Sequence, residues 1–273
     1  MAAARGAAAL TATFDRLRAE QRKALVIYVM AGDPTLAFTR RIVPLAQAAG
    51  ADIVELGYPF SDPVADGPVI QAAGQRAQPH LSGGLPAFLE LVRGIRADCD
   101  VPLVAMTYYN PIFRYGERKF LADGLAAGLD GVILPDMPID EADEWQAVCH
   151  ELGIGGTFLE APNTPDEQAG RIAQAATGFI YLVSLKGVTG SDRGFGENLR
   201  DRVARFRKLT QTPLVVGFGI STPQQAREMA DLCDGAVIGS GVVSRIGDAR
   251  NEAAAETAVV EYVRALRAAL DAP

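Results

Sequence analysis

The sequence predicts a single (β/α)₈ barrel, of the α/β class, with a short helix before the first strand. Short apolar runs, each bounded by Gly, Pro or Asp, alternate eight times with stretches of helical periodicity. The runs are continuously apolar, as in parallel strands that helices cover. The segments AGADIVEL, AGLDGVILPD and LCDGAVIGS also repeat a weak pattern of turn, strand and loop. An open doubly wound sheet is the alternative, but it requires a glycine-rich first turn that MAGDPTL does not supply.

The predicted elements follow from these runs. Strands are expected at Ala24–Val29, Ile53–Leu56, Pro102–Met106, Gly131–Leu134, Gly155–Leu159, Phe179–Val183, Leu214–Gly217 and Gly235–Ile238. Helices are expected at Phe38–Ala48, Ala87–Ile95, Lys119–Ala126, Glu141–Leu152, Asp166–Ala176, Leu199–Leu209, Pro223–Leu232 and Glu256–Leu270.

The alanine-rich N-terminus is predicted to be a flexible tail over residues 1–12, followed by the barrel domain over residues 13–273. A helix from Thr13 to Arg22 opens that domain, with Phe14 and Leu17 on its apolar side. No apolar stretch approaches the length of a membrane span. We therefore expect a cytoplasmic protein with no membrane partner.

Composition excludes several classes of function. The chain has 273 residues, 49% of them hydrophobic and 22% charged, which fits one large barrel. Its net charge is −7 and no basic stripe is present, so a nucleic-acid partner is not expected. Cys99, Cys149 and Cys233 stand far apart without a CxxC pair. We expect free thiols in a reducing compartment, with no disulfide framework and no metal site.

The segment ELGYPFSDPVADGPVIQ, residues 55–71, carries three acids at the end of the second strand. Its glycines and prolines predict a rigid loop without helix or strand. Glu55 ends a buried strand, where a carboxylate costs free energy, and this position favours a functional role. Asp62 and Asp66 lie on the loop, and for Asp62 a turn-forming role is as good an interpretation.

Glycine clusters follow the last two strands, in GFGIS and IGSG, and the loop before them contains GVTG. Backbone N–H groups approach phosphate oxygens closely only where no Cβ intervenes. Since strand ends of a barrel converge on one face, these turns predict a phosphate site there. The long loop from Lys186 to Asn198 is interpreted as a lid, with a plain surface loop as the alternative.

Six blocks, in order and spacing, carry a family resemblance: MAGDP, ELGYPFSDPVADGPVIQ, MTYYNPIF, YLVSLKGVTG, GFGIS and GAVIGSG. Together they resemble the tryptophan synthase alpha chain family, from about Ala24 to Val243. The resemblance implies a lyase that splits indole-3-glycerol phosphate into indole and glyceraldehyde 3-phosphate. It also implies an α2β2 assembly with a β chain, in which pyridoxal phosphate belongs to the β chain and this chain holds no cofactor.

The resemblance assigns the catalytic pair to Glu55 and Asp66. Glu55, among apolar neighbours, should have a raised pKa and shuttle protons at indole C3 and the adjacent hydroxyl. Asp66 should stay ionised and face the indole N–H. The lid residue Thr189 is expected to close against Asp66, and the family docks the segment Gly57–Asp66 on the β chain, with Asp62 and Pro59 as partner contacts.

Further site residues are implied in the same way. Tyr181 is placed near the substrate, although core packing explains it equally well on physical grounds. The indole pocket is expected to be lined by Tyr28, Tyr108, Ile133 and Leu159, and the phosphate to be bound by Gly190, Gly219, Gly239 and Ser240.

The chain departs from the family pattern at Lys186, at Glu160, which we expect to bring a charge beside the pocket, and at Gly241, which replaces an alanine. Three other functions remain open. Another phosphosugar barrel would normally bring metal-binding histidines or a Schiff-base lysine, which the strand ends lack. A stand-alone indole-releasing lyase has the same site residues, whereas intact Glu55 and Asp66 argue against a non-enzymatic allosteric subunit.

Overall fold

The computed structural model describes residues 4–184, 195–217 and 219–272, and of residues 195–198 only the backbone. Eight parallel strands pair in chain order, and β8 closes on β1. The predicted (β/α)₈ barrel is confirmed. The strands are β1 (Ala24–Met30), β2 (Ile53–Gly57), β3 (Leu103–Met106), β4 (Gly131–Ile133), β5 (Gly155–Glu160), β6 (Ile180–Val183), β7 (Leu214–Gly217) and β8 (Gly235–Ile238).

Helices surround the barrel, and one precedes β1. Short 3₁₀ turns occupy Gln78–Leu81 and Ile139–Glu141. In the part of the chain that the structure describes, the α-helices are α1 (Ala7–Ala19), α2 (Leu36–Ala49), α3 (Pro68–Ala77), α4 (Gly84–Arg96), α5 (Tyr109–Tyr115), α6 (Glu117–Ala127), α7 (Asp143–Leu152), α8 (Asp166–Ala175), α9 (Phe195–Leu209), α10 (Pro223–Ala230), α11 (Ser240–Gly247) and α12 (Glu252–Asp271).

Helix α3 corrects the prediction that residues 55–71 contain no regular structure. The helix begins at Pro68, one residue after Gly67. Proline is well suited to the first position of a helix, because that position needs no N–H donor and its φ is already helical. Helix α9 likewise begins at Phe195, so the last four residues of the predicted lid are helical. The rest of that lid, including Lys186, lies outside the described residues.

Helix α1 closes the N-terminal end of the barrel and begins at Ala7, six residues before the predicted start. The expectation of a tail through residue 12 is therefore wrong for residues 7–12. Leu10, Phe14 and Leu17 are buried in the cluster that fills the barrel interior. A Cβ at Gly155 would lie 2.6 Å from Leu10 Cδ1, so this glycine makes room for the leucine. Burial of Leu10 inside the barrel is what fixes the helix there.

Glu160 lies on the outer side of the sheet, not beside the pocket. Side chains alternate along β5, so inward-facing Leu159 puts Glu160 outward, under α9. Its carboxylate is fully buried and accepts hydrogen bonds from Arg202, with Nε at 2.8 Å, and from Arg205. Arg202 also donates to the Val183 carbonyl oxygen at 2.9 Å. The Glu160 charge, which was expected beside the pocket, therefore belongs to a buried ion cluster that ties α9 to β5 and β6.

We expect the ion cluster around Glu160 to contribute to the free energy of unfolding. Glu160→Gln leaves buried Arg202 without a counter-charge, and breaking a buried pair in this way costs about 3–5 kcal/mol. We expect a loss of that size in the free energy of unfolding, measured by urea denaturation at pH 7. Glu151→Gln is the control, because its partner Arg118 is exposed and such pairs contribute at most about 1 kcal/mol. Equal losses in the two variants would contradict the account.

Candidate functional site

A cavity of about 830 Å³ opens at the C-terminal end of the barrel. Tyr28 on β1 and Glu55 on β2 are register partners, so both side chains point into it. Asp66 reaches it from the loop before α3. From the other side of the barrel it is lined by four more of the predicted site residues, Tyr181, Gly219, Gly239 and Ser240.

Glu55 is buried and only 1% exposed. Its Oε1 atom has no hydrogen-bond partner among the described residues. Burial penalises the charged form of the carboxyl and raises its pKa to about 8. Glu55 is therefore mainly protonated at neutral pH, in the direction that the sequence predicts, and its side chain lines the cavity in which a ligand fits.

Asp66 is partly buried, and burial raises its pKa to about 6. A hydrogen bond from the Tyr108 hydroxyl acts in the opposite direction and lowers the pKa, but burial has the larger effect. The same hydroxyl accepts a hydrogen bond from the Ala65 N–H at 3.0 Å. The Tyr108 ring stacks on Phe60 with centroids 5.2 Å apart. Asp66 is ionised at neutral pH, as expected, but burial makes it a weaker acid than its loop position indicates.

Tyr181, like Tyr28, lines the cavity and reaches from its own strand to the neighbouring one. A Cβ at Gly217, the last residue of β7, would collide with the Tyr181 hydroxyl. Burial raises the pKa of Tyr181 well above its usual value, so the phenol stays neutral. Tyr181 is both packed in the barrel interior and part of the cavity wall, so the two interpretations of this residue hold together.

The glycine end of the cavity has the features of an anion site. Gly239 caps α11, and Ser240 is its first residue. The first N–H groups of a helix have no partner within the helix and favour negative charge. Gly219 has φ 76°, a left-handed conformation that strains other residues. These groups support the expected binding of a phosphate here.

The structure explains why position 241 is a glycine in this chain. A Cβ at this position would lie 2.5 Å from the Tyr262 hydroxyl. That hydroxyl donates to the Ser221 carbonyl oxygen at 2.8 Å, in the turn that follows Gly219. Glycine at 241 therefore lets α12 hold the two turns of the anion site together, where alanine would force Tyr262 away.

Several expected site residues lie elsewhere. Ile133 is fully buried in the barrel interior, and neither it nor Leu159 lines the cavity. Tyr108 reaches the site only through Asp66 and Ala65. Thr189 and Gly190 lie outside the described residues. The cavity wall instead includes apolar and small residues that sequence reasoning missed: Val64, Met106, Val183, Ser184, Ile220 and Val237.

The two expected partner contacts differ in exposure. Pro59 was expected to contact a partner, but it is buried close to Gly74 of α3 and is not available at the surface. Asp62 is exposed and accepts a hydrogen bond from the Ser61 hydroxyl at 2.5 Å. The neighbouring Val64 side chain is 84% exposed. The tip of this loop, and not its start, is free to meet another molecule.

Across residues 4–184, 195–217 and 219–272, no group of three or more His, Cys, Asp or Glu side chains is placed to hold a metal ion. None of the helices in this part of the chain is long and apolar enough to cross a membrane. The three cysteines are free thiols, with Cys149 and Cys233 buried.

Comparison with known proteins identifies the family. The tryptophan synthase alpha chain family model matches residues 14–271. The tryptophan synthase alpha chain of Geobacter sulfurreducens is 45% identical over 263 residues, which cover 96% of this chain and 98% of the relative. That of Methanosarcina acetivorans is 47% identical over 235 residues, covering 85% of this chain and 84% of the relative.

Solved structures agree. Tryptophan synthase subunit alpha from Legionella pneumophila superposes with a TM-score of 0.87 at 34% identity, over 98% of this chain and 99% of that chain. A chain of the tryptophan synthase α2β2 complex of Pyrococcus furiosus gives a TM-score of 0.80 at 38% identity, over 90% and 98%. On these grounds, the chain belongs to the tryptophan synthase alpha chain family.

Proposed function

We propose that this chain cleaves indole-3-glycerol phosphate to indole and glyceraldehyde 3-phosphate, as the α subunit of a tryptophan synthase. The observation that carries the proposal is the pairing of two carboxyls with different protonation states in one cavity. Protonated Glu55 and ionised Asp66 face the same space, and a glycine-lined anion site lies at its other end. The substrate has the matching parts, an indole ring, a glycerol chain and a phosphate.

Glu55 can supply both proton transfers. It first gives its proton to indole C3, and the positive charge that forms is carried by the ring nitrogen. The resulting Glu55 carboxylate then takes the proton of the hydroxyl next to the ring. The O–H electron pair forms the aldehyde C=O, the bond to C3 breaks, and its electrons restore the indole ring. Glu55 ends protonated, as it began, so no other acid or base is consumed.

Asp66 stabilises the charged intermediate. An ionised carboxylate facing the ring N–H accepts its hydrogen bond, and this bond strengthens as positive charge develops on the nitrogen. The Tyr108 hydroxyl and the Ala65 N–H hold the loop that carries Asp66. Asp66 therefore contributes most in the transition state, as catalysis requires.

The phosphate is assigned to Gly219, Gly239 and Ser240. Backbone N–H groups at the start of α11 hold it at the glycine end of the cavity. Thr189 and Gly190 keep their proposed roles in closure and phosphate binding, which the family resemblance supports. Binding at this end fixes where the indole ring meets Glu55.

The partner is assigned to the exposed surface beside the cavity mouth. Val64 is 84% exposed on the loop that carries Asp62, and Phe113 on α5 is 64% exposed. Apolar side chains this exposed suit a surface that another protein covers. The P. furiosus relative forms an α2β2 complex. We infer that a β chain, which brings its own pyridoxal phosphate, docks here and receives the apolar product indole directly.

The first test of this function is Glu55→Gln, which keeps the side-chain volume and removes the exchangeable proton. Loss of a general acid–base residue lowers the rate about 10²–10⁴-fold. We expect that fall in single-turnover release of indole, with phosphate-end affinity unchanged. In the wild type, kcat/KM should rise to pH about 6 as Asp66 ionises and fall above pH about 8 as Glu55 loses its proton.

Glu90→Gln is the matched control, because this glutamate is exposed on α4 and pairs with the exposed Arg93. It should leave the rate and the pH profile unchanged. A Glu55→Gln variant that keeps more than about a tenth of the wild-type rate would contradict the proton-shuttle role.

The second test concerns the partner. Asp62→Ala should leave cleavage by the isolated chain nearly unchanged, because Asp62 does not line the cavity. It should weaken the activation that follows addition of the β chain and serine, since binding at one site is linked to the other. Asp100→Ala, an exposed acid just before β3, is the control. Loss of isolated activity with an intact activation ratio would place Asp62 in the catalytic set.

A further inference from the structure

Tyr28 lies between the acidic end and the glycine end of the cavity. Its phenol crosses from β1 to β2, because a Cβ at Gly57 would collide with the Tyr28 hydroxyl. Gly57 follows Glu55 by two residues, on the same face of β2. At the other end, a Cβ at Gly239 would lie 3.7 Å from Tyr28 Cβ. Tyr28 therefore contacts both Glu55's strand and the anion site.

The Tyr28 hydroxyl has a weak partner. Among the described residues it donates to the Met30 thioether sulfur, at 3.8 Å, although the side chain is only 6% exposed. A thioether is a poor acceptor, and a buried hydroxyl normally finds a better one. Gly57 at the end of β2 keeps this hydroxyl beside the cavity that Tyr28 lines. The hydroxyl is placed to exchange the sulfur for an oxygen of a bound molecule.

We propose that Tyr28 determines specificity by donating a hydrogen bond to the second hydroxyl of the substrate's glycerol chain. This inference rests on the proposed function and goes beyond the expected lining of the indole ring. Glu55 acts on the hydroxyl next to the ring, and the phosphate lies at the Gly239 end. The second hydroxyl is the polar group between them, within the span of the Tyr28 side chain, which runs from its Cβ beside Gly239 to its hydroxyl beside Gly57. Gly57 is then a positioning residue, because any side chain there displaces the phenol.

The proposed hydrogen bond should affect two ligands differently, although both carry the indole ring and the phosphate. Indole-3-glycerol phosphate carries the second hydroxyl, whereas indole-3-propanol phosphate has no chain hydroxyl. A hydrogen bond of ordinary strength contributes up to about tenfold in affinity. Tyr28→Phe should lower kcat/KM for the glycerol phosphate about tenfold and change the Kd of the propanol phosphate by less than about twofold. A role confined to packing would affect both ligands alike.

The experiment measures indole release by steady-state kinetics and propanol phosphate binding by calorimetry, in the wild type, Tyr28→Phe and Gly57→Ala. Gly57→Ala should reproduce the selective loss by moving the hydroxyl. Tyr115→Phe is the control, because its hydroxyl bonds Asp123 and lies outside the cavity. Equal losses for both ligands, or no loss in Tyr28→Phe, overturn the proposal while leaving the proposed function intact. Failure of the wild type to release indole overturns both.

Discussion

The cost of burying the Glu55 carboxyl without a counter-charge is the constraint on which the site depends. The described part of the chain buries five acidic side chains, and four of them pair with an arginine. These pairs are Asp33 with Arg76, Asp52 with Arg267, Asp130 with Arg96, and Glu160 with Arg202. For Glu55, the remaining buried acid, burial is the cause of the raised pKa. An unpaired buried carboxyl avoids its charge by holding a proton, so the fold itself prepares an acid for neutral pH.

The barrel makes this arrangement possible by separating its charged groups. Asp52 and Asp130 lie just before strands, whereas Asp33 follows β1. In each place an arginine from a neighbouring element reaches the buried acid, and Glu160 beneath α9 is the clearest case. Inside the barrel, Leu10, Phe14 and Leu17 close the opposite end, so water has little access to Glu55 from below. The glycines on neighbouring strands let Tyr28 and Tyr181 cover the space beside it.

Much of this could be predicted from the sequence, since buried parallel strands are continuous apolar runs and Glu55 interrupts one of them. Helix α3 is not predicted by these patterns, because proline breaks a helix everywhere except in its first turn, where Pro68 lies. The alternation of side chains along β5 is enough to predict on which side of the sheet Glu160 lies. Its partner Arg202, however, is 42 residues away, and no local sequence pattern connects the two residues. Likewise, burial of Asp66 and the hydroxyl of Tyr108 beside it depend on how two loops meet. Pairings between distant segments were the part that sequence patterns could not supply.

A carbon-13 NMR titration of the Glu55 side-chain carboxyl measures directly whether this group holds a proton in the folded chain. The resonance is assigned by its absence in Glu55→Gln, and the isolated chain without ligand is titrated from about pH 3.5 to about pH 9.5, a range that spans both the ordinary and the raised pKa. A midpoint near 8 is expected, because burial disfavours the charged form. A midpoint near 4.5, the ordinary value for glutamate, would show that the carboxyl is already ionised at neutral pH and would contradict the account.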